Sequence, residues 1–131
     1  MSERPWLAHY PSDVDPVLAP ISLPHVPALV REASATYAST KAFTQVMPNG
    51  MNGSLTFRQV DALSDAFAAY LREVVGLAPG DRVAVQMPNC LSYPIVAFGV
   101  MKAGLVLVNT NPLYTPPEMV HQFTDSGPKP S

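Results

Sequence analysis

The sequence predicts an α/β fold, and three observations carry that reading. Two apolar runs, residues 82–86 and 105–109, flank a longer apolar stretch from Leu91 to Ala103. That is the pattern of a strand, a crossover helix and a second strand, joined as a βαβ unit. Capping-box spacings at Thr56-Phe57-Arg58-Gln59 and Thr115-Pro116-Pro117-Glu118 each open a further helix. Finally, the run Pro48-Asn49-Gly50-Met51-Asn52-Gly53, with its Asn-Gly pairs, lies between two short β-prone runs and predicts a hairpin.

The elements follow in order. Pro5, Pro11, Pro16, Pro20 and Pro24 leave no room for a helix or a central strand, so residues 1–24 are expected to form an extended arm on the surface. Residues 25–131 form the body. A helix begins near Pro27 with Val26, Leu29, Val30, Ala33 and Tyr37 on one face, and ends near Ser39. Residues 42–47 read as a strand, 48–53 as the turn and 54–57 as the returning strand. In the second helix Val60, Leu63, Phe67, Tyr70, Leu71 and Val74 define the apolar face, and Gly76 is the stop. Asp61, Asp65, Arg72 and Glu73 lie mostly off that face; the two aspartates are expected on solvated helix surface. Residues 77–81 have turn chemistry, with Pro79 followed by Gly80. The βαβ unit comes next, with Gly104 stopping its helix. The last helix has Pro116 at its first position and ends at Gly127.

Composition narrows the function classes. The 131 residues are 47% hydrophobic and 14% charged, which excludes a disordered, solvated chain. A net charge of −2 with eight scattered Lys and Arg gives no basic stripe, so no nucleic-acid partner is expected. Cys90 is the only cysteine, so no intrachain disulfide can form; it reads as an inert buried thiol in a reducing cytoplasm. Residues 1–10 contain no apolar signal-peptide core. The stretch 91–108 is interrupted by Pro94, Gly99 and Gly104 and carries Lys102. It suits a buried helix and strand better than the roughly 20 apolar residues of a membrane span.

Catalytic motifs are absent. The sequence holds no G-x-x-x-x-G-K-[ST] loop, no G-x-G-x-x-G fingerprint and no G-x-S-x-G elbow. His9, His25 and His121 are far apart, with no metal-ligand spacing, and read as surface or boundary residues. Two loops are candidates instead, because each follows the carboxyl end of a predicted parallel strand, where open α/β sheets place ligands. Met87-Pro88-Asn89 follows the first strand and Pro112-Leu113-Tyr114 the second. Asn89, Asn111 and Tyr114 are therefore the candidate substrate-binding residues; no catalytic and no metal-binding residue is assigned.

Taken together, these segments resemble the start of bacterial long-chain fatty-acid–CoA ligases, within the superfamily of adenylate-forming, AMP-binding enzymes. The resemblance rests on Trp6-Leu7 and Tyr10-Pro11, on Leu55-Thr56-Phe57-Arg58 with residues 66–71, on Gly80-Asp81-Arg82-Val83-Ala84 with Met87-Pro88-Asn89, and on Lys102-Ala103-Gly104. The run from Val108 to Pro116 leans toward the long-chain branch. The resemblance implies a partial N-terminal subdomain of the adenylate-forming fold. It implies a parent enzyme that uses ATP, Mg2+ and CoA to turn a fatty acid into an acyl-adenylate and then an acyl-CoA. The family's phosphate loop, ribose-binding aspartate, hinge and mobile lysine lie later in the chain and have no counterpart here. The 131 residues are expected to be inactive alone, with the remainder of the ligase chain as partner. Pro128-Lys129-Pro130-Ser131 stands where the family continues into a buried strand, which two prolines suit poorly. Two other classes stay open: a stand-alone binding module, and a protein at the inner-membrane surface. A homodimer also stays open.

Overall fold

The computed structural model describes residues 4–127, so the expectation for Pro128–Ser131 lies outside the described residues. Residues 10–25 run as an irregular, mostly exposed arm. The arm is not wholly extended, because Pro5–His9 forms one 3-10 turn, with Pro5 at a position whose missing N–H costs nothing. Helix α1 (Val26–Thr36) follows; His25 caps it through Nδ1, which accepts from the Ala28 amide at 3.1 Å.

Strand β1 (Lys41–Val46) and strand β2 (Asn52–Thr56) form an antiparallel hairpin with a bulge between Lys41 and Phe43. Of the two Asn-Gly pairs, Asn49-Gly50 makes the turn. Gly50 has φ +83°, and the Asn49 Oδ1 accepts from the Met51 amide at 3.1 Å. Asn52-Gly53 belongs to β2. Helix α2 (Phe57–Ala69) opens on the expected capping box: the Gln59 amide donates to Thr56 Oγ1 (3.3 Å), and the Thr56 amide donates back to Gln59 Oε1 (2.9 Å). Its last turn, Tyr70–Val74, widens to a π turn in which the Val75 amide reaches the Tyr70 carbonyl.

Strand β3 (Arg82–Gln86), helix α3 (Ser92–Lys102) and strand β4 (Val106–Thr110) form the expected βαβ unit, with β3 and β4 parallel and Arg82 opposite Val106. Helix α4 (Pro116–Ser126) closes the described chain, and Gly76, Gly104 and Gly127 end their helices with positive φ. The strands are only partly covered: Val106 is 46% exposed, where burial on both faces was expected.

The expected apolar face of α2 is met in part: Val60 and Leu71 are buried and Phe67 packs against the core. Val60, Ser64, Ala68 and Leu71 are the buried residues of α2 and its π turn, whereas Leu63, Tyr70 and Val74 are 44%, 49% and 72% exposed. Small residues win because α3 approaches closely. A Cβ added at Gly99 would lie 3.0 Å from the Ser64 carbonyl and 2.7 Å from the Phe67 ring, so the contact stripe must be Ser and Ala rather than Leu and Tyr. In α1 the inward residues are Val30, Ala33 and Ser34, while Val26, Leu29 and Tyr37 stay exposed. The buried Ser34 hydroxyl donates to the Phe57 carbonyl and ties α1 to the start of α2.

Candidate functional site

Parallel pairing places the carboxyl ends of β3 and β4 side by side, with Gln86 opposite Thr110. The segments leaving them enclose an open cleft of about 360 Å3. Asn89, Asn111 and Tyr114, the three residues singled out by sequence, all line it. Three others were missed: Tyr93, at the start of α3, and Asn109 and Thr110, at the end of β4. A readable signal existed in Asn109-Thr110-Asn111, a polar run that breaks an apolar strand at its carboxyl end.

Hydrogen bonds fix the walls. Asn111 Oδ1 accepts from the Leu113 amide (3.0 Å), and the Tyr114 amide donates to the Asn111 carbonyl (3.1 Å), which turns the loop back on itself. The Tyr93 hydroxyl donates to Asn109 Oδ1 at 2.9 Å, joining α3 to β4. Gln122 Nε2 donates to the Asn109 carbonyl at 2.7 Å and seats α4. Thr110 is 3% exposed, and its hydroxyl has no hydrogen-bond partner among the described residues. No charged side chain lines the cleft. Its chemistry is therefore that of uncharged donors and acceptors, namely carboxamides and hydroxyls, beside two phenol rings.

Just beyond the cleft, Thr115 donates to Glu118 Oε2 from both its hydroxyl (2.6 Å) and its amide (2.7 Å). These bonds, the hydroxyl's first, hold the Glu118 carboxyl below its ordinary value. Among the described residues no group of three or more His, Cys, Asp or Glu is placed to hold a metal ion. Cys90 is half-buried rather than buried.

Asp65 lies on the solvated helix surface as expected, at 50% side-chain exposure, while Asp61 is only partly exposed, and the two share a cation. Lys102 reaches both from α3, with its Nζ 2.5 Å from Asp61 Oδ1, 2.8 Å from Asp65 Oδ1 and 3.0 Å from the Asp61 carbonyl. Its side chain is only 4% exposed. The i, i+4 spacing of the aspartates put both on one face, and the lone cation of an apolar helix supplied the partner.

The fold and the cleft at its strand ends define a class. The model of the AMP-binding enzyme family matches residues 30–130, and the chain belongs to that family. It is 46% identical over 125 residues to the long-chain-fatty-acid–CoA ligase of Yersinia pestis, and 40% identical over 125 residues to that of Haemophilus influenzae. Each match covers 95% of this chain and 21% of the relative, so the chain spans about a fifth of the length of the relatives it matches. Among solved structures, a Mycobacterium tuberculosis fatty acyl CoA synthetase superposes with TM-score 0.69 at 31% identity, covering 79% of this chain and 20% of that one. The N-terminal domain of FACL13 from the same organism gives 0.70 at 30% identity, covering 82% and 26%.

Proposed function

We propose that this chain is the opening part of the adenylation domain of a cytoplasmic long-chain fatty-acid–CoA ligase. The observation that carries the reading is 46% identity to such a ligase across 95% of the chain. In the parent reaction the fatty-acid carboxylate attacks the α-phosphate of ATP, releasing pyrophosphate and leaving an acyl-adenylate. The CoA thiol then attacks the acyl carbon and expels AMP.

The cleft helps to assign the parent's substrates. ATP with Mg2+ is densely charged and needs charged partners, and the lining has none. The residues that line the cleft do not fit that pair. A fatty acid is a carboxylate on a long apolar tail, for which the open cleft offers neither a cation nor a closed apolar tunnel. CoA carries an uncharged arm with two amide groups. Asn89, Asn111, Thr110 and Tyr114 have the hydrogen-bonding chemistry to meet such amides, so we assign the cleft to the amide arm of CoA.

A chimaera tests the reading. The 125 matched residues of this chain replace their aligned segment in the Yersinia pestis ligase, and oleate- and CoA-dependent AMP formation is measured. The chimaera is expected to be active, and Asn111→Ala within it should raise KM for CoA while leaving KM for ATP unchanged. A folded but inactive chimaera would count against the ligase assignment. An active one in which Asn111→Ala raises KM for ATP alone would count against the CoA assignment.

A further inference from the structure

Lys102 belongs to no catalytic or binding group described above, yet among the described residues it is the most fully enclosed charge in any ion pair. Its side chain is 4% exposed, and its ammonium meets three acceptors, all on α2. An ammonium has three N–H donors, so the set is complete and nothing remains to bind a ligand. From α1, Arg31 approaches the same cluster, 4.0 Å from Asp65 and largely exposed.

Helix α3 explains why a charge is held there. From Tyr93 to Met101 every residue is apolar or glycine, and Lys102 is the helix's only charge. Apolar burial is non-directional, so a helix apolar all round can pack in more than one register. The α2–α3 contact adds to the ambiguity, since small residues recur along both helices: Ser64 and Ala68 on one, Ala97, Gly99 and Ala103 on the other or at its end. A slip of one helical turn, about 5.4 Å, would cost some packing but would strand a buried ammonium away from both carboxylates. That penalty is directional where packing is not, and registry is the best-attested use of buried polar groups.

The register reaches the cleft. Lys102 is followed by Ala103 and by Gly104 at φ +74°, whose carbonyl accepts from the Gly80 amide at 2.8 Å. The Val106 amide donates to the Asp81 carbonyl at 2.8 Å, which starts the β3–β4 ladder that ends at Gln86 and Thr110. At the other end of α3, Tyr93 holds Asn109. We propose that the Asp61–Lys102–Asp65 clamp is a positioning device: it fixes the register of α3 on α2, and through α3 and β4 it sets the shape of the cleft. The link to substrate rests on the CoA reading above; the register itself does not.

The test separates register from stability. Lys102→Met, the pair Asp61→Asn with Asp65→Asn, and the triple variant are made in this chain and in the active chimaera. Lys102→Met should lower the melting temperature, because two carboxylates lose their shared cation. The triple variant removes every charge at near-constant volume and should melt close to the wild type. Its amide resonances at Gly99, Asn109 and Thr110 should nonetheless double or broaden as α3 samples more than one register. In the chimaera the triple variant should raise KM for CoA about tenfold, as small misplacements do. A triple variant with single sharp resonances at wild-type positions overturns the proposal. So does one no more stable than Lys102→Met, which would mark the clamp as plain stabilisation. An inactive wild-type chimaera refutes the ligase reading only, and the resonances of the chain then decide the register.

Discussion

Gly99 is where the helix packing can be tested most sharply. In an exposed helix interior, Gly→Ala stabilises by roughly 0.5–1 kcal/mol because glycine loses more backbone freedom on folding. At Gly99 the new methyl would lie 2.7 Å from Phe67 Cδ1, 3.1 Å from Phe67 Cβ and 3.0 Å from the Ser64 carbonyl oxygen. The ring can swing, but the carbonyl belongs to the α2 backbone and cannot yield without moving the helix. Overpacking of this kind costs typically 1–3 kcal/mol. Set against the helix gain, Gly99→Ala should be net destabilising by about 1–2 kcal/mol, measured by urea denaturation at constant m. Phe67→Leu removes the closest contact, so the double variant should be less destabilised than the sum of the single ones, with a coupling of at least about 0.5 kcal/mol. Stabilisation by Gly99→Ala would refute the close approach, and with it the reason given for the small-residue stripe on α2.

Four further outcomes are expected. Val100→Ala, at a side chain with no exposure, should cost about 2 kcal/mol, whereas Leu63→Ala should cost about 0.5 kcal/mol or less; equal losses in denaturant melts would return Leu63 to the buried face expected from sequence. The Glu118 carboxyl should titrate below its ordinary value of 4.5, read by carbon NMR. Because the folded value is the depressed one, its support for α4 is present above 4.5 and lost as pH falls through the folded value, so Glu118→Gln should flatten the acid dependence of α4 amide exchange. The chain alone should show no fatty-acid-dependent exchange of pyrophosphate with ATP; exchange above a heat-killed blank would break the division of labour proposed here. It should also bind an apolar dye and associate with rising concentration, since Leu18, Ile21 and Leu113 are 94%, 90% and 86% exposed.

What the sequence revealed depended on whether the signal was local. Strand β3 lies where the apolar run put it, and the Thr56–Gln59 box begins α2 as its spacing requires. Gly76, Gly104 and Gly127 end their helices, because backbone with φ > 0 needs only the residue itself. The three cleft residues were found because the βαβ topology dictates where parallel strands end. The α2 face was right at Val60, Phe67 and Leu71 and wrong at Leu63, Tyr70 and Val74, for a non-local reason. Residue size selects Leu63, Tyr70 and Val74, but the partner at that face is a glycine on another helix, and a glycine contact favours serine and alanine. The cation that Asp61 and Asp65 share was missed for the same reason, since it is supplied by α3. His25 looked like a boundary residue and proved to be a helix cap through its own ring nitrogen.

The misplaced apolar residues also bear on function. Among the described residues only eight apolar side chains are buried, and three of these are alanines. The sequence is 47% hydrophobic, and many of its larger apolar residues lie on the surface: the arm from Val14 to Ile21, the outer face of α2, and Leu113 with Val120. Scattered exposed apolar residues are ordinary, but here they recur along whole faces of elements whose other faces are already packed. Among the described residues strands β3 and β4 form a parallel sheet of two strands, with Val106 half-exposed. Parallel sheets are stable when both faces are covered and further strands continue them. Composition and packing both support the proposal that this chain is one part of a larger α/β body. A binding module folded for itself would be expected to bury its largest apolar residues and expose its small ones. On α2 and its π turn this chain does both, burying Val60 and Leu71 beside Ser64 and Ala68 while leaving Leu63, Tyr70 and Val74 exposed. That uncovered apolar surface is physical support for the ligase reading that does not depend on sequence identity.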